Sequence, residues 1–295
     1  MRSHKTIHAW FRLLRPHQWV KNLLLLLPAG AAHIGWQPAS WLQLIVGIAA
    51  FSTLASATYI INDLVDLSAD RQHPMKRHRP LAAAEVTASG AKLLVLGLGL
   101  STVGLSWLLP TRFGIILTAY LVLSLTYTFL LKKQIILDVI ALSTLYTIRL
   151  IAGAAVLQIP LSRWFLAFSI FLFFSLALVK RVTELQSKPD SSPELLPGRG
   201  YVPADLQALT VLGIAAAIAS SLVYCLYITS DDVIILYVRP DYLWVGLPLL
   251  LYWKARIWLL ALRQAVHEDP VVFALRDRVS YAVMSVFLFI VWLAS

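Results

Sequence analysis

Residues 42–61 read LQLIVGIAAFSTLASATYII, and residues 62–80 continue NDLVDLSADRQHPMKRHRP. The first stretch carries no charge and has the length of about 20 mostly apolar residues that a helix needs to cross a bilayer core. The second gathers Asp63, Asp66 and Asp70, then Arg71, Lys76, Arg77 and Arg79, at the end of that span. A membrane helix that ends in both signs of charge poses the two questions of the chain: what fold surrounds it, and what the charges hold.

The rest of the sequence repeats the first pattern. Of its 295 residues 59% are hydrophobic and 14% charged, well above the apolar share of a soluble domain. Hydropathy places nine membrane helices at roughly 20–36, 40–62, 91–109, 113–131, 135–157, 162–179, 205–229, 242–260 and 279–294. The expectation is an all-α polytopic membrane protein forming one transmembrane domain over residues 1–295. SKPDSSPELLPGRG, residues 187–200, is the most loop-like segment and the candidate divider between two halves of the bundle. The N-terminal MRSHKTIHAWFRLLRP is too polar for a signal peptide, and it spaces Trp10, Phe11, Leu13 and Leu14 among bases as a surface-lying amphipathic helix does.

The formal net charge is +10. Nucleic acid is one reading of such a balance, but the bases fall on every second connection, as the positive-inside rule requires. This puts the N-terminus and the long charged loops in the cytoplasm of an inner-membrane type protein, and the C-terminus on the far side. The single cysteine, Cys225, lies in LVYCLYI and reads as apolar packing. No zinc-ligand spacing, phosphate-binding Walker loop or nucleophile elbow is present.

Asp63, Asp66 and Asp70 stand at i, i+3 and i+7, one face of a helix. Three carboxylates on one face repel unless a cation lies between them. Hard oxygen ligands beside a cationic loop fit Mg²⁺ carrying substrate phosphates. Asn62 adds a neutral oxygen. Lys76, Arg77 and Arg79 are the candidates for remaining phosphate oxygens, with His73 and His78 as weaker ones. The competing reading is a solvated helix end with ordinary topology charges. Asp138 and Arg149 lie eleven residues apart on one helix face, and an arginine within the apolar run reads as part of an interhelical ion pair or as a phosphate site deep in a cavity. Lys180, Arg181 and Glu184 close the sixth span, where Lys180 and Glu184 are spaced to pair with each other. RPHQWVKN, with Arg15, Gln18, Lys21 and Asn22, and HEDPVVFALRDR, with Glu268, Asp269, Arg276 and Asp277, are each a cap on the site or a plain anchor.

NDLVDLSADRQHPMKRHRP resembles the first aspartate-rich signature, N-D-x-x-D-x-x-x-D, of the UbiA superfamily of intramembrane prenyltransferases. The nine-helix plan is similar too, and the resemblance implies a central cavity open sideways to lipid. Aromatic prenyltransferases of that superfamily carry a second motif, D-x-x-x-D, where this chain has Lys180-Arg181-Val182-Thr183-Glu184. RPHQWVKN, LDVIALSTLYTIRLIAGA and KRVTEL instead resemble the decaprenyl-phosphate phosphoribosyltransferase branch. DPVVFALRDR and PGRGY are similar to a subgroup often fused to a phosphatase-like domain, which implies a separate phosphatase as a partner here. The resemblance implies transfer of a phosphoribosyl group from phosphoribosyl pyrophosphate (PRPP) to a polyprenyl phosphate drawn from the bilayer. The expected site is Asp63, Asp66 and Asp70 on Mg²⁺, with Asn62, Lys76, Arg77, Arg79, Asp138, Arg149, Lys180, Arg181, Glu184 and Lys21 on the substrates and no nucleic acid involved. The rivals are a prenyltransferase using a prenyl diphosphate and, outside enzymes, a lipid-phosphate carrier.

Overall fold

The computed structural model describes residues 2–32, 37–72, 76–187, 199–266 and 269–295, and among them there is no strand. In chain order come α1 (Arg2–Leu13), a 3₁₀ helix (Pro16–Leu26), α2 (Leu27–Ala31), α3 (Pro38–Val65), α4 (Leu67–Gln72), α5 (Ala88–Ser106), α6 (Thr111–Phe129) and α7 (Leu137–Leu157). Then follow α8 (Arg163–Gln186), α9 (Leu206–Ile228), α10 (Asp231–Leu236), α11 (Gly246–Leu262), α12 (Pro270–Ala274) and α13 (Arg278–Ala294).

Among the described residues seven stretches are long and apolar enough to cross a membrane: α3, α5, α6, α7, α8, and the stretches Pro203–Ile228 and Pro240–Leu262 that contain α9 and α11. The two other expected spans differ. The last is α13, apolar but only 17 residues long. The first, expected at 20–36, is an 11-residue 3₁₀ helix followed by the five-residue α2. Runs of 3₁₀ helix beyond a turn are uncommon, so something other than apolar content shapes this one. Arg15 precedes it at φ 53° and Pro16 starts it. Its polar side chains then reach away to fixed partners: Trp19 Nε1 donates to Ser56 Oγ and Asn22 Nδ2 to Ser52 Oγ, both at 2.9 Å.

Contacts divide the chain into two compact units, Met1–Phe129 with Ile148–Pro160, and Leu130–Thr147 with Leu161–Ser295. The dividing lines fall inside α7 and beside its ends. The described flanks of the Ser187–Gly200 segment both belong to the second unit, so that segment does not separate the halves.

In the first unit α3 packs mainly on α5. Thr53 meets Thr102 at 2.8 Å, and Ile60 shares a cluster with Ala91, so the two helices run antiparallel. The outer side of α5 exposes Leu93, Leu96, Leu100 and Val103. That stripe at helical spacing would be a liability in water and is ordinary against acyl chains. The amphipathic α1 buries Ala9 and Leu13 in the same cluster and leaves Phe11 exposed. Gly153 of α7 is where Leu25 of the 3₁₀ helix comes closest. A Cβ there would overlap the Leu25 carbonyl oxygen, which is backbone and cannot rotate away.

In the second unit α8 packs mainly on α9. Ser175 Oγ donates to the Gly213 carbonyl at 2.7 Å and accepts from Trp258 Nε1 at 3.0 Å, joining α8, α9 and α11. The Trp258 ring fills the space that a side chain at Gly213 would need. Lys254 of α11 is buried, with Ser220 Oγ at 2.7 Å and Ser221 Oγ at 2.9 Å. Arg256 binds Asp277 through two nitrogens at 2.6 and 3.0 Å, and Asp277 caps α13 by accepting from Ser280 N at 2.8 Å.

Burial pushes the Asp277 carboxyl up, but Arg256 and Ser280 outweigh it and hold the group below the usual carboxylate value. A depressed folded value stabilises the protein above the unfolded pKa of about 3.9 and ceases to do so as pH falls through the folded one. Asp277→Asn is expected to cost about 2 kcal/mol at neutral pH. Its deficit in melting temperature in detergent should shrink as pH falls below about 4; a deficit that stays constant with pH refutes the ionic role.

Candidate active site

In the first unit the acidic stretch does not run as one unbroken helix. α3 ends at Val65, Asp66 is its C-cap, and α4 resumes at Leu67. The backbone still follows a helical course, because Asp66 N donates to Asn62 O at 2.9 Å and Asp70 N to Asp66 O at 2.8 Å. Asp63 and Asp70, seven residues apart, therefore do come together. Arg79 NH1 donates to Asp63 Oδ1 at 3.0 Å and to Asp70 Oδ2 at 2.6 Å. Both carboxylates are buried. Asn62 and Asp66 are half-buried beside them.

Of the three expected loop cations, Arg79 bridges Asp63 and Asp70. Arg77 is exposed, with Nε 3.4 Å from His78 Nε2, and Lys76 is half-buried in a 3₁₀ turn. His73 and Glu268 lie outside the described residues. A second arginine comes from elsewhere: Arg15 NH2 reaches Asp63 Oδ1 at 2.5 Å and lies over the Tyr59 ring. Its left-handed backbone before a proline is a costly conformation for a side chain of this size. Sequence reading weighed Arg15 only as part of RPHQWVKN, and nothing in spacing reveals a contact across 48 residues.

Arg149 is buried between the rings of Phe51 and Tyr120, at 5.1 Å from each centroid. Its Nε donates to Asn22 Oδ1 at 3.0 Å and NH2 to Tyr120 OH at 3.2 Å. Lys21, next to Asn22, is buried as well. Arg149 thus ties the 3₁₀ helix, α3 and α6 to α7, and aromatic faces solvate its charge.

In the second unit Asp138 pairs with Arg181, Nε to Oδ2 at 2.6 Å, both side chains fully buried. Arg181 also bonds Glu184, one turn on, so Glu184 is taken by Arg181 where the spacing had offered Lys180. The remaining oxygen of Asp138 accepts from Tyr201 OH, which itself accepts from Ile136 N at 2.9 Å. Burial first, and Asp138 second, raise the Tyr201 hydroxyl above the ordinary phenol range, so it remains a donor. Glycine at 200 lets this strap lie against the Lys133 carbonyl. Lys180 turns elsewhere, its Nζ 3.3 Å from Asp269 Oδ2. Both Asp269 oxygens accept from Tyr146 OH at 2.9 Å.

Each half thus has its own chemistry. The first offers two buried carboxylates with a cationic nitrogen between them, a place already suited to positive charge. Among the described residues no three His, Cys, Asp or Glu side chains form a ready-made metal cage. Mg²⁺ needs none: it commonly takes one or two carboxylates and fills its octahedron with substrate phosphates and water. Asp63 and Asp70 fit that use. The second half commits Asp138 and Glu184 to Arg181 and presents an ammonium.

The model of the UbiA prenyltransferase family matches residues 23–276. The uncharacterized protein y4nM of Sinorhizobium fredii is 37% identical over 92% of this chain and 53% of its own length. Nodulation protein NoeC of Azorhizobium caulinodans is 33% identical over 89% of this chain and 85% of its own. The decaprenyl-phosphate phosphoribosyltransferase of Mycobacterium tuberculosis is 36% identical over 59% of each chain. The match therefore spans little more than half the length of two of these three relatives. A UbiA homolog from Archaeoglobus fulgidus bound to GPP and Mg²⁺ has the same fold, with a TM-score of 0.70, 13% identity and coverage of 97% of this chain and 99% of that one.

The contrast between neighbours 180 and 181 is testable. Arg181→Gln leaves Asp138 buried without its cation, a loss of roughly 3–5 kcal/mol, and should lower the melting temperature sharply. Lys180→Gln removes a partly exposed pair worth at most about 1 kcal/mol. Equal melting temperatures for the two variants would contradict the structural assignment of Arg181.

Proposed function

The chain belongs to the UbiA prenyltransferase family, and we propose that it transfers a phosphoribosyl group from PRPP to a polyprenyl phosphate, releasing pyrophosphate. The observation that carries this reading is the end of α8 in the second unit, where the family's prenyl-transferring members have acids in sequence. Here Asp138 and Glu184 are bound by Arg181, and the partly exposed group is Lys180. An ammonium suits a phosphate monoester better than it suits a second metal ion. The likeness to the mycobacterial decaprenyl-phosphate phosphoribosyltransferase supports the same transferred group and the same class of acceptor.

In this reading Asp63 and Asp70, with Asp66, hold Mg²⁺, and Asn62 hydrogen-bonds the donor. When bound, the ion neutralises charge on the departing pyrophosphate. Arg79 and Arg15 exchange their carboxylate contacts for pyrophosphate oxygens, and Lys76 and Arg77 cover the loop side. The bond from ribose C1 to pyrophosphate oxygen breaks, and the electron pair leaves with pyrophosphate. A phosphate oxygen of the lipid then bonds to C1. A phosphate monoester, with a second pKa near 6, is already an anion at neutral pH, so no strong general base is needed. Lys180 orients it. Arg149 keeps the 3₁₀ helix in register through Asn22, and the Asp138–Arg181–Glu184 cluster holds the end of α8. The basic ends of the spans put this site on the cytoplasmic side.

Purified protein in detergent, given labelled PRPP, polyprenyl phosphate and Mg²⁺, should form a labelled lipid product. Chelation should stop it, and Asp63→Asn should slow it by roughly a hundredfold or more. Product from a prenyl diphosphate with none from PRPP would return the chain to prenyl transfer. No turnover with either, together with uptake of lipid phosphate into liposomes, would make it a carrier.

A further inference from the structure

Lys180 carries more structure around it than a surface cation needs. Among the described residues its ammonium meets one carboxylate, Asp269, at 3.3 Å, and its side chain remains 29% exposed. Asp269 is not exposed in the same way: its side chain is 8% accessible. Three groups from three elements fix it. Tyr146 of α7 donates to both oxygens at 2.9 Å. Val271 N of α12 donates to Oδ1 at 3.2 Å, since Asp269 is the N-cap of that helix. Lys180 of α8 supplies the charge. Tyr146 is itself buried and packed on Phe173, ring centroids 5.3 Å apart.

A lysine stem is flexible, and an ammonium has three donors. A carboxylate that is locked from two sides and offers its charge from a third selects one position for that ammonium. One N–H points to Asp269 and the partly exposed face keeps the others. This is the arrangement of a cation prepared for an anionic ligand, with its countercharge behind it. An exposed salt bridge made only for stability would have no use for a buried, doubly bonded acid.

We propose that Lys180, Asp269 and Tyr146 form a subsite for a phosphate monoester that operates without a metal ion, Lys180 touching the ligand and Asp269 acting as its positioning residue. The proposal rests on the reaction proposed above only for the identity of the arriving monoester, which is either the lipid phosphate or the 5-phosphate of PRPP. The sequence-distant Asp269 restores an acid next to position 180, but as the partner of an ammonium rather than as a metal ligand.

The test is binding by metal-stripped, full-length protein in detergent with chelator present, using geranylgeranyl phosphate and, separately, ribose 5-phosphate as probes. Wild type should bind one of them, and which one identifies the source. Lys180→Gln and Asp269→Asn should each weaken that binding by about tenfold, and Tyr146→Phe by a few-fold. Asn is as good an N-cap as Asp, so Asp269→Asn should melt near the wild-type temperature while binding weakly. Wild type that binds neither probe without metal, or variants that bind as wild type does, overturns the subsite. So does an Asp269→Asn loss matched by general unfolding, unless Tyr146→Phe, stably folded, shows the binding loss alone. A wild type that binds through these residues but never turns over PRPP removes the proposed reaction and leaves the subsite standing. Normal turnover with binding indifferent to both variants does the reverse.

Discussion

A charge placed among membrane helices must find its countercharge, aromatic faces or hydrogen bonds inside the protein, because lipid supplies none. The Asp138–Arg181 pair is the extreme case, with both side chains fully buried. Asp138 also accepts from Tyr201, and Arg181 also binds Glu184. Such a pair adds little net stability relative to an apolar pair, since desolvation offsets most of the attraction, but breaking it is costly. That asymmetry makes it a fixed point. α8 cannot rotate without stranding Arg181, and so Lys180, one residue earlier, is held 100° round the helix on a different side. The fixed pair and Lys180 are sequence neighbours, so one defines the direction of the other.

The first unit solves the same problem differently. Arg149 has aromatic faces and neutral oxygens around it, whereas Asp63 and Asp70 have arginines. The second solution is the more exchangeable one. Arg79 and Arg15 keep 28% and 20% of their side chains accessible, so water and a phosphate ligand can compete for them. Arg149 cannot be reached in that way, and its contacts with Asn22 explain why an apolar run such as KNLLLLL does not form a regular helix from its first residue.

These particulars mark how far sequence reading reaches. Apolar run length identified the long spans, and i, i+7 spacing correctly brought Asp63 to Asp70, because both signals are local to one stretch of chain. Local spacing also misdirected. It offered Lys180 to Glu184 on one helix face, whereas Lys180 meets Asp269 of another element and Glu184 is bound by Arg181, one turn along the same helix. Arg181 lies 43 residues from Asp138 and Tyr201 lies 63. No periodicity encodes such distances. The irregular first span was hidden for a related reason: hydropathy counts apolar side chains and is blind to the hydrogen bonds of Trp19 and Asn22.

A lysine at position 180 works differently from a metal ion held by carboxylates. A metal ion held by carboxylates brings two positive charges but must be recruited, and it binds whatever oxygens complete its octahedron. An ammonium brings one charge, permanently, and it can be aimed by a single acid. It therefore selects a smaller anion in a fixed place. A recruited dication and a built-in monocation differ in the way that the two proposed substrates do. A pyrophosphate needs the stronger neutralisation because it must leave, and a monoester needs only orientation because it must remain nucleophilic. Too strong a cation beside the attacking oxygen would lower its nucleophilicity, so the weaker, geometrically fixed charge is the better companion for it.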